Sequence, residues 1–301
     1  ISPAYSLLSS DHERLKYIMG LLGPGLVFAA SGDAYARALN AAVPRDVECV
    51  FTREPAAGRH GGLFAALEAV PGTDVDDAHE AVGPDQVAKI LFTSGSTGGP
   101  KGVINTHRML CRNQQMILQS LPHYGEVPPV LVDWLPWHHT AGGNNDFGLI
   151  VYNGGTLYID EGRPQPDLIG PTVRNLRDIA TTAYISVPRG YEALLPYLRE
   201  DSALREKFFS RLGFLFYAGA ALSQPVWKAY QELAVRTCGE RIAWITSLGS
   251  TETAPFAMCT SRGATHASMI GLPAPGVELK LAPVEGKLEA RFRGQSITPG
   301  Y

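Results

Sequence analysis

Three short stretches gather the residues able to do chemistry. In the first, Thr93, Ser94, Gly95, Ser96, Thr97 and Gly98, then Lys101 and Gly102 beyond Gly99 and Pro100, follow directly on the apolar run Ile90-Leu91-Phe92. Glycines at 95, 98, 99 and 102 let backbone N–H groups approach an anion without Cβ interference, and the hydroxyls of Thr93, Ser94, Ser96 and Thr97 add donors. Lys101 supplies one compact positive charge. This is phosphate-binding chemistry. A polar loop between strands uses the same residue types, but the concentration of hydroxyls, glycines and a lysine directly after a strand-like run favours the anion. No Gly-Lys-Ser/Thr closes the loop, so it is not a Walker loop. The hydroxyl that would hold magnesium there is missing, and a metal must be held from elsewhere.

The second stretch is Pro136-Trp137-His138-His139-Thr140-Ala141-Gly142-Gly143. Adjacent histidines point in different directions, and no His-Glu-x-x-His or second His/Cys cluster accompanies them, so a zinc site is not indicated. A histidine in a turn is ordinarily hydrogen-bonded or packed. The third stretch is Leu248-Gly249-Ser250-Thr251-Glu252-Thr253. A carboxylate beside two threonines at a strand end can bind magnesium while a threonine hydroxyl reaches a phosphate; the plainer alternative is a helix cap beside a surface carboxylate.

The elements that must carry these stretches follow from periodicity. Asp11 to Leu22 has the apolar spacing of a helix and stops at Gly23-Pro24-Gly25; no third glycine follows, so the pair is not a dinucleotide fingerprint. Leu26 to Ala30 and Val47 to Thr52 read as strands, and Ala34 to Ala42 and Gly62 to Val70 as helices. The acidic, Gly/Pro-containing segment from Pro71 to Pro84 reads as an exposed connection. Ala88 to Phe92 is the strand before the phosphate loop, Val103-Ile104 a hairpin arm after it, and Asn105 or Thr106 caps a helix from His107 to about Leu121. Strands at Val130 to Leu135, Thr156 to Ile159, Thr182 to Val187, Phe214 to Tyr217 and Ile242 to Ser247 alternate with helices at Asn144 to Tyr152, Asp167 to Asp178, Arg189 to Arg199 and Ser223 to about Thr237. Such alternation predicts parallel sheets with helices on their faces. The small residues Gly219-Ala220-Ala221 at one strand end leave room for a flat ligand, or equally permit tight helix-to-strand packing. After about residue 265 strands alternate with turns, which suggests a small antiparallel unit.

The fold class is therefore α/β, with two packed α/β subdomains of mostly parallel sheet and part of a small antiparallel β subdomain. The expected divisions are 1–125, 126–264 and 265–301. With 301 residues, 45% hydrophobic, the chain can bury a full core, and a net charge of -3 without long like-charge runs argues against a nucleic-acid surface. No apolar run approaches a membrane span. Cys49, Cys111, Cys238 and Cys259 are widely spaced, without Cys-x-x-Cys, and a reducing cytoplasmic setting is expected. The start at Ile1 and the stop at Tyr301 read as positions inside a longer protein.

Thr93 to Gly102 resembles the signature loop of the adenylate-forming superfamily, which holds acyl-CoA synthetases, luciferases and peptide-synthetase adenylation domains. Gly219 to Ala221, Gly249 to Glu252 and Gly271 to Lys280 recur in that superfamily's order. The wording of Leu135 to Thr140, Asn153 to Asp160, Pro188 to Glu192 and Leu248 to Pro255 most resembles its feruloyl-CoA synthase branch. The resemblance implies ATP-dependent conversion of a small-molecule carboxylate to an acyl-adenylate, then transfer to coenzyme A, with Mg2+ as the metal. It assigns Thr93, Ser94, Gly95, Ser96, Thr97, Gly98 and Lys101 to the β- and γ-phosphates, Thr251 to the α-phosphate and Glu252 to Mg2+. Gly219, Ala220 and Ala221 would flank adenine and the acyl group, and His139 would gate the carboxylate site. Placement beside these motifs suggests Trp137, His139, Phe147, Tyr217 and Gly249 as a flat acyl pocket.

Two departures stand out. Leu248 occupies the position where the superfamily often stacks an aromatic ring on adenine, and the chain ends before the expected ribose-binding aspartate, hinge and lysine-bearing C-terminal domain. The competing readings are a nucleotide-binding fragment without catalysis, and a synthetase for another aryl or medium-chain acid. An NTPase or kinase lacks its Gly-Lys-Ser/Thr here, and a serine hydrolase its Gly-x-Ser-x-Gly elbow.

Overall fold

Ser31 closes the first strand and opens the helix that follows, because its hydroxyl accepts the Ala34 N–H at 3.1 Å and satisfies a donor the helix leaves free. The computed structural model describes residues 1–72, 74–93, 99–260 and 264–301. It resolves into two units, one of residues 1–86, 90–103 and 301, the other of 87–89 and 104–300.

In the first unit, β1 (Leu26–Ser31), β2 (Glu48–Arg53) and β3 (Gly61–Leu63) form a parallel sheet in that order. Helices Glu13–Leu22 and Gly32–Ala42 pack Leu15, Met19, Ala38 and Leu39 against Cys49 and Phe51 of β2. The helix expected over Gly62 to Val70 is shorter, Phe64–Glu68, because Gly61 and Gly62 instead pair with β2. Gly61 has φ +123° and its missing Cβ would fall 1.9 Å from the Cys49 carbonyl, so only glycine brings the backbone close enough to pair. Within the acidic connection, residues Val75–Glu80 form a short helix.

β4 (Val87–Thr93) and β5 (Lys101–Thr106), on either side of the expected phosphate loop in the sequence, pair as a two-stranded sheet. Thr106 caps helix His107–Ser120, its hydroxyl accepting the Met109 N–H. In the second unit, β6 (Val130–Asp133) runs parallel to β7 (Thr156–Ile159). Its first residue exchanges bonds with Thr182, just ahead of β8 (Ala183–Ser186): Thr182 N–H donates to the Val130 carbonyl, and Val130 N–H to the Thr182 hydroxyl. β8, β9 (Phe214–Ala218) and β10 (Ala243–Leu248) are parallel neighbours, and β11 (Met258–Cys259) and β12 (Leu272–Pro273) extend the sheet antiparallel. β13 (Glu278–Val284) and β14 (Lys287–Arg293) form a separate antiparallel hairpin. Mixed α/β architecture with parallel sheets and a small antiparallel element is thus the fold.

The second unit's core is aromatic. Tyr191 packs edge-on against Tyr184, Tyr230 and Trp244, and its hydroxyl lies within donating distance of the Tyr184 and Phe216 carbonyls at 2.8 and 2.7 Å, so the buried phenol keeps a partner. Helix Pro188–Glu200 supplies Tyr191, with proline at its first turn where no N–H is needed. The chain also forms an unanticipated helix, Ser202–Phe209, capped by Asp201. The winding expected to start at Asn144 begins earlier, as a π-helical turn over Ala141–Asp146, before α-helix Phe147–Asn153. Gly142 and Gly143 explain this. A Cβ on Gly142 would lie 2.5 Å from the Leu135 carbonyl, and one on Gly143 2.2 Å from that of Trp137, so the wide turn lies directly on the strand-end segment before it.

Candidate functional site

Residues 94–98, which include the predicted phosphate donors Ser94, Gly95, Ser96, Thr97 and Gly98, lie outside the described residues. The structure does place the flanks of the loop. Thr93 ends β4 and Lys101 begins β5. Lys101 Nζ stands 5.0 Å above the Tyr301 ring, a cation–π contact that leaves the ammonium able to meet an anion.

The second unit assembles the remaining candidates at strand ends. In the β9–β10 register Tyr217 pairs with Thr246 and Ala218 with Ser247, so Gly219-Ala220-Ala221 leave their strand beside the residues that lead to Gly249 and Glu252. Gly219 has φ +84°, a conformation that glycine adopts at no steric cost. Parallel strands present this carboxyl edge to ligands. Leu248 ends β10 half-exposed, in cross-strand register with Met258.

The turn that carries Thr251 and Glu252 is tightly fixed. Thr251–Thr253 form one turn of 3-10 helix closed by a reciprocal cap, in which Ser250 N–H donates to the Thr253 hydroxyl at 2.9 Å and Thr253 N–H to the Ser250 carbonyl at 3.0 Å. A Cβ on Gly249 would lie 1.4 Å from the Pro255 carbonyl, so Gly249 lets the strand end pass under the turn. Thr251 and Glu252 are both half-exposed. Among the described residues no group of three His, Cys, Asp or Glu side chains converges on a metal. One carboxylate nevertheless suits Mg2+, which keeps waters and takes remaining ligands from substrate phosphates.

Trp137 and Phe147 meet with ring centroids 4.9 Å apart and planes inclined by 41°. They are 48% and 41% exposed, so the pair presents apolar ring surface to solvent. His139 leads out of the same segment. Its Nδ1 accepts the Ala141 N–H at 3.2 Å, which fixes the neutral tautomer with the proton on Nε2, and partial burial of the ring lowers its pKa in keeping with that form. Nε2–H is then a donor suited to a carboxylate or carbonyl oxygen.

Tyr217 is placed differently from that pair. Its ring packs on Trp244 in the core at 3% exposure, and its hydroxyl donates to the Ala267 carbonyl at 2.7 Å. Burial raises its pKa, so it stays a neutral structural donor. Three groups escaped sequence reasoning. Lys89, on β4, approaches the Gly143 carbonyl at 3.4 Å and has its pKa lowered by burial. Thr298 donates its N–H to the Glu252 carbonyl at 2.8 Å. Asp133 and Asp146 bracket the segment carrying Trp137 and His139. The sequence signalled neither, because the strand was expected to run through Asp133 to Leu135, whereas it ends at Asp133.

Comparison with known proteins identifies the family. The chain is 32% identical over 215 residues to "Probable CoA ligase CCL8" of Humulus lupulus, covering 64% of this chain and 32% of that protein. It is 26% identical over 267 residues to the anthranilate–CoA ligase of Pseudomonas aeruginosa, covering 83% of this chain and 47% of the relative. The chain thus spans about a third to a half of the length of these relatives. Among solved structures, a malonyl-CoA ligase with methylmalonyl-CoA and AMP bound superposes with TM-score 0.70 at 26% identity, over 100% of this chain and 58% of that one. A benzoate CoA ligase from Burkholderia xenovorans shares the fold with TM-score 0.74 at 21% identity, over 96% of this chain and 55% of that one. The family model of AMP-binding enzymes matches residues 1–301, and the chain belongs to that family.

Proposed function

We propose that this chain is the core of an acid–thiol ligase that activates a carboxylate with ATP and passes the acyl group to coenzyme A. The observation that carries the reading is the adjacency of Gly219–Ala221 and the Gly249–Glu252 turn at the carboxyl ends of β9 and β10, in a family named for binding AMP. A carboxylate oxygen attacks the α-phosphorus, pyrophosphate leaves, and the thiolate of coenzyme A then attacks the acyl carbon and expels AMP. Anionic groups meet in the first step, so the protein's task is positioning and charge neutralisation.

In this reading Thr93, Ser94, Gly95, Ser96, Thr97, Gly98 and Lys101 hold the β- and γ-phosphates, and Thr251 touches the α-phosphate. Glu252 holds Mg2+, which when bound neutralises phosphate charge. Gly219, Ala220 and Ala221 flank adenine, and His139 donates Nε2–H toward the carboxylate. Trp137 and Phe147 supply the acyl wall. Their tilted, half-exposed rings favour a flat aromatic acid, and a hydroxycinnamate such as ferulate is the substrate class proposed.

The test is carboxylate-dependent exchange of labelled pyrophosphate into ATP by the full-length gene product, with ferulate, coumarate, caffeate, benzoate, octanoate, malonate and anthranilate. Exchange strongest with hydroxycinnamates is expected. Preference for octanoate or malonate would sink the aromatic assignment and leave the ligase, whereas no exchange with any acid would sink the ligase. Calorimetric binding of a non-hydrolysable acyl-AMP mimic without exchange would identify a nucleotide-binding fragment.

A further inference from the structure

Asp133 ends β6 and Asp146 ends the π-helical turn, and the residues between them include Trp137 and His139. Both carboxyls are inside the protein, at 5% and 0% exposure. Each has one satisfied oxygen. Asp133 Oδ1 accepts the Leu135 N–H at 2.9 Å, and Asp146 Oδ1 accepts the Asn145 side-chain N–H at 2.7 Å. The second oxygen of each, Oδ2, is buried without a donor among the described residues. The two carboxyls are neighbours, each acting on the other's proton affinity through its charge or a side-chain hydrogen bond.

Two buried carboxylates cannot donate to one another. One proton placed between them satisfies both orphan oxygens and removes one of two uncompensated buried charges. The other titratable groups facing the pair do not relieve it. Asp160 donates its backbone N–H to the Asp133 carbonyl at 2.9 Å, but its own carboxylate is engaged by Gly162 N–H, Thr172 and Asn175. Tyr184 on β8 and Tyr124 on helix His123–Glu126 are buried phenols whose pKa values burial raises, so both stay neutral.

We propose that Asp146 is a positioning residue for the acyl site: protonated, it donates to Asp133 and clips together the two ends of the 134–145 segment that presents Trp137 and His139. Burial, the leading cause, raises Asp133 to about 6 and raises Asp146 well above the ordinary carboxylate range, so of the two carboxyls Asp146 is the one that keeps the shared proton. The segment has further internal ties. Gln114 Nε2 donates to the Asn144 carbonyl at 2.7 Å, and Asn144 Nδ2 donates to Asn105 Oδ1 at 2.8 Å and to the Thr140 hydroxyl at 3.1 Å. These anchor the C-terminal part of the segment through Asn144 and tie it back to Thr140, and the acid pair joins that end to β6.

The inference rests on the acyl-site reading above, and two readouts keep the two apart. Infrared spectroscopy of the full-length wild type at about pH 8, where ordinary carboxyls are ionised, is expected to show a protonated carboxyl C=O band that Asp146→Asn removes. In steady-state kinetics Asp146→Asn, whose amide N–H still donates to Asp133, is expected to keep the acid KM within about threefold, while Asp146→Ala raises it about tenfold or more with the ATP KM unchanged. Absence of the band from wild type, or equal acid KM values in the two variants, overturns the proposal. If Asp146→Ala does not fold, the infrared result alone decides. A protein with the band and no activity on any acid would refute the ligase reading and leave the shared proton standing.

Discussion

The backbone N–H of Thr298 donates to the carbonyl of Glu252 at 2.8 Å, and the Thr298 hydroxyl lies 2.8 Å from the carbonyl of Ile104 on β5. Thr298 thus ties the turn bearing the proposed metal carboxylate to β5, which follows the proposed phosphate loop. Ile104 N–H closes the arrangement by donating to the Gly300 carbonyl at 3.2 Å. Thr298→Val keeps the bond to Glu252 and loses the one to Ile104. Loss of about 1 kcal/mol of stability and a three- to tenfold rise in ATP KM are expected, with the acid KM unchanged. A rise confined to the acid KM would show that Thr298 serves the acyl side instead.

Thr298 also shows where sequence reading stops. The α/β class, the strands bearing Gly219 and Gly249, and the cap at Thr106 were legible because they rest on local periodicity and hydrogen bonds between near neighbours. Thr298 acts on Glu252 and Ile104, far away in the chain, and no local pattern announces such a bond. Tyr217 marks a different kind of ambiguity. A strand-end aromatic beside small residues reads equally well as pocket or core, and only the packing of Trp244 and the Ala267 carbonyl decides for the core. The π-helical turn was missed because Gly-Gly reads as a break, whereas here the glycines let the turn lie on the carbonyls of Leu135 and Trp137.

Gly249→Ala tests the backbone role assigned to that glycine. The added methyl would occupy the space of the Pro255 carbonyl, only 1.4 Å away, and backbone cannot rotate aside as a side chain can. A destabilisation of about 1–3 kcal/mol or more is expected, with exchange activity falling because the Thr251–Glu252 turn must move. Chemical denaturation and the exchange assay measure the two effects. A stable, fully active Gly249→Ala protein would show that the turn has room to shift.

Glu252→Gln removes a charge and keeps the shape. The reciprocal Ser250–Thr253 cap and the Thr298 bond to the backbone carbonyl do not involve the Glu252 carboxylate, so the substitution keeps these backbone ties of the turn. Pyrophosphate exchange is expected to fall about 100-fold or more, with a larger Mg2+ requirement for half-maximal rate. An unchanged Mg2+ dependence would remove Glu252 from the metal site.

The acid pair makes stability depend on pH with a definite sign. Asp133 is raised by burial from its ordinary value to about 6, so the native state binds its proton more tightly than the unfolded chain does. The stabilisation it brings is full below the unfolded value near ~4, declines as pH rises through about 6, and is flat above that. Other carboxylates titrate in the same window, and the comparison with Asp133→Asn isolates this pair. The variant cannot titrate at position 133, and its amide N–H can donate to Asp146. Denaturant unfolding at about pH 4.5 and about pH 6.5 should therefore show wild type losing more stability, or gaining less, across the interval than Asp133→Asn. Parallel pH slopes in the two proteins would mean that Asp133 titrates alike folded and unfolded, and that the pair does not hold its proton against the solvent.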